Sequence, residues 1–179
     1  MEETIPSWED DATQGDAVAA IARRWLKIRP DLDPSPMLVI GRLSRLTALI
    51  DAQLRPPFAA AGLANGDFDL LAALRRQGPP LELSAGALAA ATLVTTGATT
   101  KRIDRLEKQG LVTRRVSSSD GRARIVALTD AGRTTVDQLM AIHLTNEAAL
   151  LSPLPPASRS QLAHLLGAFA DIVERPPTT

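Results

Sequence analysis

The chain has no cysteine. That excludes disulfides, thiolate zinc sites, iron–sulfur clusters and a thiol-based redox sensor together. It also lacks tyrosine, and its three phenylalanines and two tryptophans are too few for the stacking platforms that hold single-stranded nucleic acids. No apolar run is long and uncharged enough to span a bilayer, and the acidic N-terminus lacks the basic start of a signal peptide. An intracellular, cytoplasmic protein without membrane association is expected. There is no nucleophile elbow, no phosphate-cradling glycine loop and no Cys/His pair, so neither an enzyme nor a cofactor is expected. His143 and His164 fall on or near apolar helix faces without close carboxylate spacing, so packing or interface roles are expected and a metal site is not.

What is present fits a globular chain: 179 residues, 45% of them hydrophobic, enough for one ordinary domain with a core. The net charge of zero conceals an uneven distribution. Residues 1–20 carry six acids and no lysine or arginine, whereas residues 101–124 carry eight basic residues against three acids. One surface is thereby marked for an anionic partner.

Hydrophobic spacing and punctuation predict the elements. A helix over 16–28 places Val18, Ile21, Ala22, Trp25 and Ile28 on one face. A second runs from Pro36, with Ser35 as N-cap, to about Arg55 and carries a stripe of Ile40, Leu43, Leu46, Ile50 and Leu54. Asp67 caps a short helix over 68–77, Ser84 a small one from Ala85 to about Leu93, and the turn at residues 94–97 opens another reaching Gln109, with Gly110 in the left-handed position. The period then changes. Val112–Val116 and Ala123–Leu128 are rich in β-branched residues and are joined by a polar turn, a hairpin signature. Helices over 130–151, capped by Thr129, and over 158–174 close the chain.

The fold expected is mainly α: a winged helix-turn-helix with N- and C-terminal helices forming a dimerisation region. Its parts are an acidic, flexible tail over 1–14, N-terminal helices over 15–59, the winged region over 60–130 and dimerisation helices over 131–179. In the helix before the hairpin, Thr99, Ile103, Leu106 and Gly110 form the inward stripe. Gly97, Lys101, Arg105 and Lys108 then face outward with Thr100 at the border, small and basic as a major-groove reader requires. Thr95 and Thr96 at the helix start, Arg115 on the first strand, and Ser119, Gly121 and Arg122 at the wing tip complete the expected DNA-binding set. Apolar faces on the remaining helices call for a partner: either their own subunit or, the favoured reading, a second subunit, which would set the recognition helices ~34 Å apart on duplex DNA. A winged-helix protein–protein module without sequence-specific DNA binding is the alternative.

The stretch Arg105–Val112 (RLEKQGLV), the wing Asp120-Gly121-Arg122 and the exit Leu128–Arg133 (LTDAGR) resemble the MarR family of bacterial transcription regulators, over residues 35–174 or so. The resemblance implies a homodimer on a pseudo-palindromic operator, repression as the commoner mode, and a bracing role for Asp120. Trp25, the run Arg29–Met37 and the run Phe68–Arg76 are similar to the urate-responsive branch, although Gln77 stands where that branch often has asparagine. That likeness maps a ligand pocket onto Trp25, Asp69, Arg102 and Arg114, with urate, another purine or a phenolic or aromatic acid as effector. Arg102 lies about 60° from the centre of the inward stripe, so an Asp69–Arg102 pair would tie the recognition helix to the helix before it. Two readings follow: a sensor in which a ligand competes for that pair, or a plain structural salt bridge with Trp25 as core filler.

Overall fold

The structure is a computed structural model that describes residues 16–92, 96–116 and 124–175. The chain divides into two compact units, one ending at Gln53 and one beginning at Leu54. The acidic segment 1–14 lies outside the described residues.

In the first unit, helix α1 (Ala17–Ile28) starts at Asp16, whose carboxylate accepts from the N–H groups of Val18 (2.9 Å) and Ala19 (3.2 Å). The same carboxylate takes two N–H donors of Arg42 on α2 (Pro36–Leu54), and Arg42 first, the backbone donors second, hold it below the usual carboxylate range. Ala19, Ala22 and Leu38 form a small core. A side chain at Gly41 would meet Val18 Cγ1 at 2.8 Å, so glycine permits the close approach of the two helices there. The predicted apolar faces are covered only in part, because Ile21, Trp25 and Ile28 of α1 and Ile40, Leu46 and Ile50 of α2 stay exposed. Periodicity identifies an apolar face without saying what covers it.

The second unit holds α3 (Pro56–Ala60), α4 (Asp67–Arg76), β1 (Glu82–Ser84), α5 (Ala85–Ala91), α6 (Thr96–Lys108), β2 (Val112–Val116), β3 (Arg124–Leu128), α7 (Asp130–Leu151) and α8 (Pro156–Glu174). The three strands are antiparallel in the order β1-β3-β2, with Glu82 opposite Ala127 and Arg114 opposite Val126. Spacing does not reveal α3 and β1: one is a single turn, and the other is a strand only because it pairs with β3. The core collects Leu70, Leu71 and Leu74 of α4, Leu88 of α5, Ile103 and Leu106 of α6, Val112, Val126, and Val136 and Leu139 of α7.

Two helix starts carry the geometry of the site. Asp67 is not the N-cap that the sequence suggests but the first residue of α4, and Gly66 at φ +78° takes the cap position. The Asp67 carboxylate turns back to accept the Ala64 N–H at 2.9 Å. At α7, Thr129 caps as predicted: its Oγ1 accepts from the Gly132 N–H (3.0 Å) and donates to the Gly110 carbonyl (2.8 Å). Thr129→Ala should therefore lower stability by about 1–2 kcal/mol, read as a reduced urea midpoint at unchanged slope.

Candidate nucleic-acid interface

Helices α5 and α6 followed by the β2–β3 hairpin make the winged helix-turn-helix. On α6 the stripe expected to face inward holds at Thr99, Ile103 and Leu106, which are buried, but Gly110 lies past the end of the helix and is exposed. Gly97, Thr100, Lys101 and Lys108 are exposed on the outside. Thr95, the side chain of Thr96 and the wing residues Ser119, Asp120, Gly121 and Arg122 lie outside the described residues.

Arg105, expected to face the groove, turns the other way. Its Nε and Nη2 donate to the two carboxylate oxygens of Asp67 at 2.8 and 2.5 Å, and this acid is wholly buried. The hydrogen bonds from Arg105 to Asp67 raise the arginine's pKa above its ordinary value. A buried carboxylate without a cation would be costly, so in this structure the guanidinium is engaged by Asp67. The tie expected between Asp69 and Arg102 is thus made by Asp67 and Arg105. Asp67 and Asp69 point about 200° apart on a helix, so when Asp67 faces α6, Asp69 faces away and is exposed. Among the described residues there is no Asp69–Arg102 ion pair, and the Arg102 guanidinium lies over Gly66, where a Cβ would sit 2.2 Å from Cζ. Gln109 Nε2 donates to the Gly62 carbonyl at 3.0 Å. The turn over 62–67 therefore meets α6 at Arg102 and Arg105, and the residue just after the helix at Gln109.

Two arginines of β2 are also engaged. Arg115, expected to contact DNA, donates to Glu82 Oε1 of β1 at 2.7 Å across the sheet. Arg114, which the family likeness maps to a ligand, donates instead to Asp104 Oδ1 (2.6 Å) and Glu107 Oε2 (2.9 Å) of α6. The partners Asp67, Glu82, Asp104 and Glu107 escape sequence reasoning. The one usable signal is that Asp104 and Glu107 stand one turn apart beside the outward face.

A cleft of about 370 Å³ opens between α4, the end of α5 and α7, with Phe68, Ala72, Met140 and Leu144 as apolar lining and Asp69, Arg76, His143 and Glu147 as polar groups. His143 Nε2 is 3.0 Å from Glu147 Oε1, a carboxylate–histidine spacing of four residues that the sequence reading discounts. Its Nδ1 is sealed from solvent without a hydrogen-bond partner among the described residues, and the ring sits against Phe58 and Phe68, both centroids at 5.4 Å. This is the packing role expected of it. Of the four mapped ligand residues, Asp69 lines this cleft; Arg102 and Arg114 do not. In the first unit, Trp25 is half-exposed and borders a separate hollow of about 290 Å³ with Arg29, Leu32, Asp33 and Met37 among its walls. No helix among the described residues is long and apolar enough to cross a membrane, and among them no three His, Cys, Asp or Glu residues are grouped to hold a metal.

Comparison with known proteins gives this geometry a family. Residues 61–123 match the MarR family model. The HTH-type transcriptional regulator PecS of Dickeya dadantii is 39% identical over 150 residues, which cover 84% of this chain and 90% of PecS. Among solved structures, BpsR of Bordetella bronchiseptica, whose DNA binding is regulated by 6-hydroxynicotinic acid, is 26% identical with a TM-score of 0.67, over 74% of this chain and 93% of that one. Sco3205 of Streptomyces coelicolor, solved with DNA, shares the fold at 24% identity and a TM-score of 0.72, over 81% and 91%. On the extent of the likeness to PecS and the matching winged fold, the chain belongs to the MarR family and is a DNA-binding transcriptional regulator.

Proposed function

We propose that the protein is a ligand-responsive repressor that grips a pseudo-palindromic duplex operator as a homodimer and lets go when a small aromatic or anionic molecule binds. The observation that carries this reading is the outer face of α6, where Gly97, Thr100, Lys101 and Lys108 are exposed above a buried stripe. Small residues at the helix start permit close approach, and the helix N-terminus itself favours phosphate. Dimerisation is supported by α8, none of whose residues is buried, although Leu162, Leu165, Leu166, Ile172 and Val173 are apolar. A second copy of the same helix is the cover that two-fold pairing supplies.

For the effector, the cleft beside α4 and α7 is the site proposed: Phe68, Met140 and Leu144 would face a planar ring, Arg76 its acid group, and Asp69 and Glu147 its donors. The regulation of BpsR by 6-hydroxynicotinic acid supports that chemistry.

A mobility-shift titration tests the core of the proposal, using a duplex that the wild-type protein selects from a random-sequence pool. Lys101→Ala should weaken binding ~5-fold or more and flatten the salt slope by ~0.9. Sedimentation should give a dimer, and 6-hydroxynicotinic acid or urate should release the duplex from wild type but not from Asp69→Ala. A monomer that enriches no duplex would be the protein–protein module instead.

A further inference from the structure

We propose that Arg114, on the first wing strand, is a positioning residue that makes the outer face of the recognition helix positive by compensating Asp104 and Glu107. This rests on the DNA-binding reading above. Of the six charged side chains of α6, Arg102 and Arg105 turn toward the 62–67 turn, and the remaining four, Lys101, Asp104, Glu107 and Lys108, cancel. A neutral face carrying two carboxylates is a poor approach to phosphate, since each acid repels what each lysine attracts. Arg114 supplies the missing charge from the neighbouring strand. Its Nη1 donates to Asp104 at 2.6 Å, its Nε to Glu107 at 2.9 Å, and its Nη2 makes a second contact with Glu107. One fork thus closes over both acids, which lysine could not reproduce in planar geometry.

Fold stability does not account for the arrangement. All three side chains remain a third or more exposed, and ion pairs so open to water contribute little to stability. Arg114, as hydrogen-bond donor first and as a charge second, holds the Glu107 carboxyl below its usual range. Strand pairing fixes the source of that cation, because Arg114 sits opposite Val126 in the middle of the β2–β3 ladder.

The test uses the full-length protein and the duplex that wild type selects from the random pool. Arg114→Ala should bind ~10-fold or more weakly, with a thermal midpoint close to wild type. Adding Asp104→Asn and Glu107→Gln to Arg114→Ala should bring affinity back to within ~2-fold of wild type, because the acids are then neutral without a cation. Asp104→Asn with Glu107→Gln alone should bind more tightly than wild type, a readout that remains if Arg114→Ala folds poorly. Arg114→Lys should fall between wild type and alanine. Unchanged affinity in Arg114→Ala would overturn the proposal, and so would a triple variant as weak as the single one, since Arg114 would then act by mooring the strand or touching phosphate. Wild-type affinity combined with loss of effector-driven release would return Arg114 to the ligand role implied by the family likeness. Failure of wild type to enrich any duplex is a separate outcome, and it would remove the DNA-binding reading and this proposal together.

Discussion

Arg105→Ala is expected to lower the unfolding free energy by about 3 kcal/mol and to weaken DNA binding as a consequence. Its partner Asp67 has 0% of its side chain exposed, and with the arginine gone only the Ala64 N–H at 2.9 Å would remain to the carboxylate among the described residues. Breaking a fully buried pair costs about 3–5 kcal/mol. The lower end applies because the Arg105 side chain is 38% exposed, so water can enter the vacated space. Adding Asp67→Asn to Arg105→Ala should recover part of the loss by removing the stranded charge, and a double-mutant cycle in urea isolates the coupling. A groove-reading arginine predicts the opposite pattern: affinity would fall while unfolding stayed as in wild type. That result would show that the guanidinium is available to DNA and that the tie to the turn over 62–67 is dispensable.

This pair marks where the sequence stops being legible. The inward stripe of α6 can be read from spacing alone, because Thr99, Ile103 and Leu106 follow the helical period and all three are buried. Local chemistry likewise gives the cap at Thr129, the left-handed Gly110 and the hairpin, each set by residues within a few positions of one another. The link between α4 and α6 is also foreseeable as a carboxylate meeting an arginine, but its register is not. Asp67 against Asp69, and Arg102 against Arg105, differ only in which side of each helix faces the other, and that is decided by packing Leu70, Leu71 and Leu74 against Leu106. A charge run reads the same whether its arginines face phosphate or protein. Only tertiary structure shows that Arg105, Arg114 and Arg115 each hold an acid of their own chain. The cleft beside α7 is hidden for a similar reason: its walls are drawn from residues 68–76, 91–92 and 140–147, far apart in sequence.

Gly132→Ala should destabilise the fold by about 3 kcal/mol or more, although the residue lies in a helix, where alanine is ordinarily favoured over glycine. In the first turn of α7, an added Cβ would stand 2.0 Å from the Leu111 carbonyl oxygen and 2.9 Å from its carbon. That carbonyl cannot swing away freely, since it accepts the Thr129 N–H at 3.2 Å, while the Leu111 N–H is itself bonded to the Leu106 carbonyl at 3.0 Å. Relief has to come from shifting α7, which would pull Val136 and Leu139 out of the core and break the Thr129 cap. The glycine of the LTDAGR exit is thus a packing requirement that joins the wing to the helix leading away from it. Gly97→Ala makes the internal control: among the described residues nothing lies within 4 Å of a Cβ there, so stability should be unchanged or rise by up to about 1 kcal/mol. Because Gly97 is at the exposed start of α6, the same methyl should weaken DNA binding by holding the helix off the groove. Urea unfolding and mobility shift on the two variants should therefore give opposite results, with Gly132→Ala failing the first measurement and Gly97→Ala only the second. If Gly132→Ala unfolds at the wild-type urea midpoint, the close approach of α7 to Leu111 does not exist in solution.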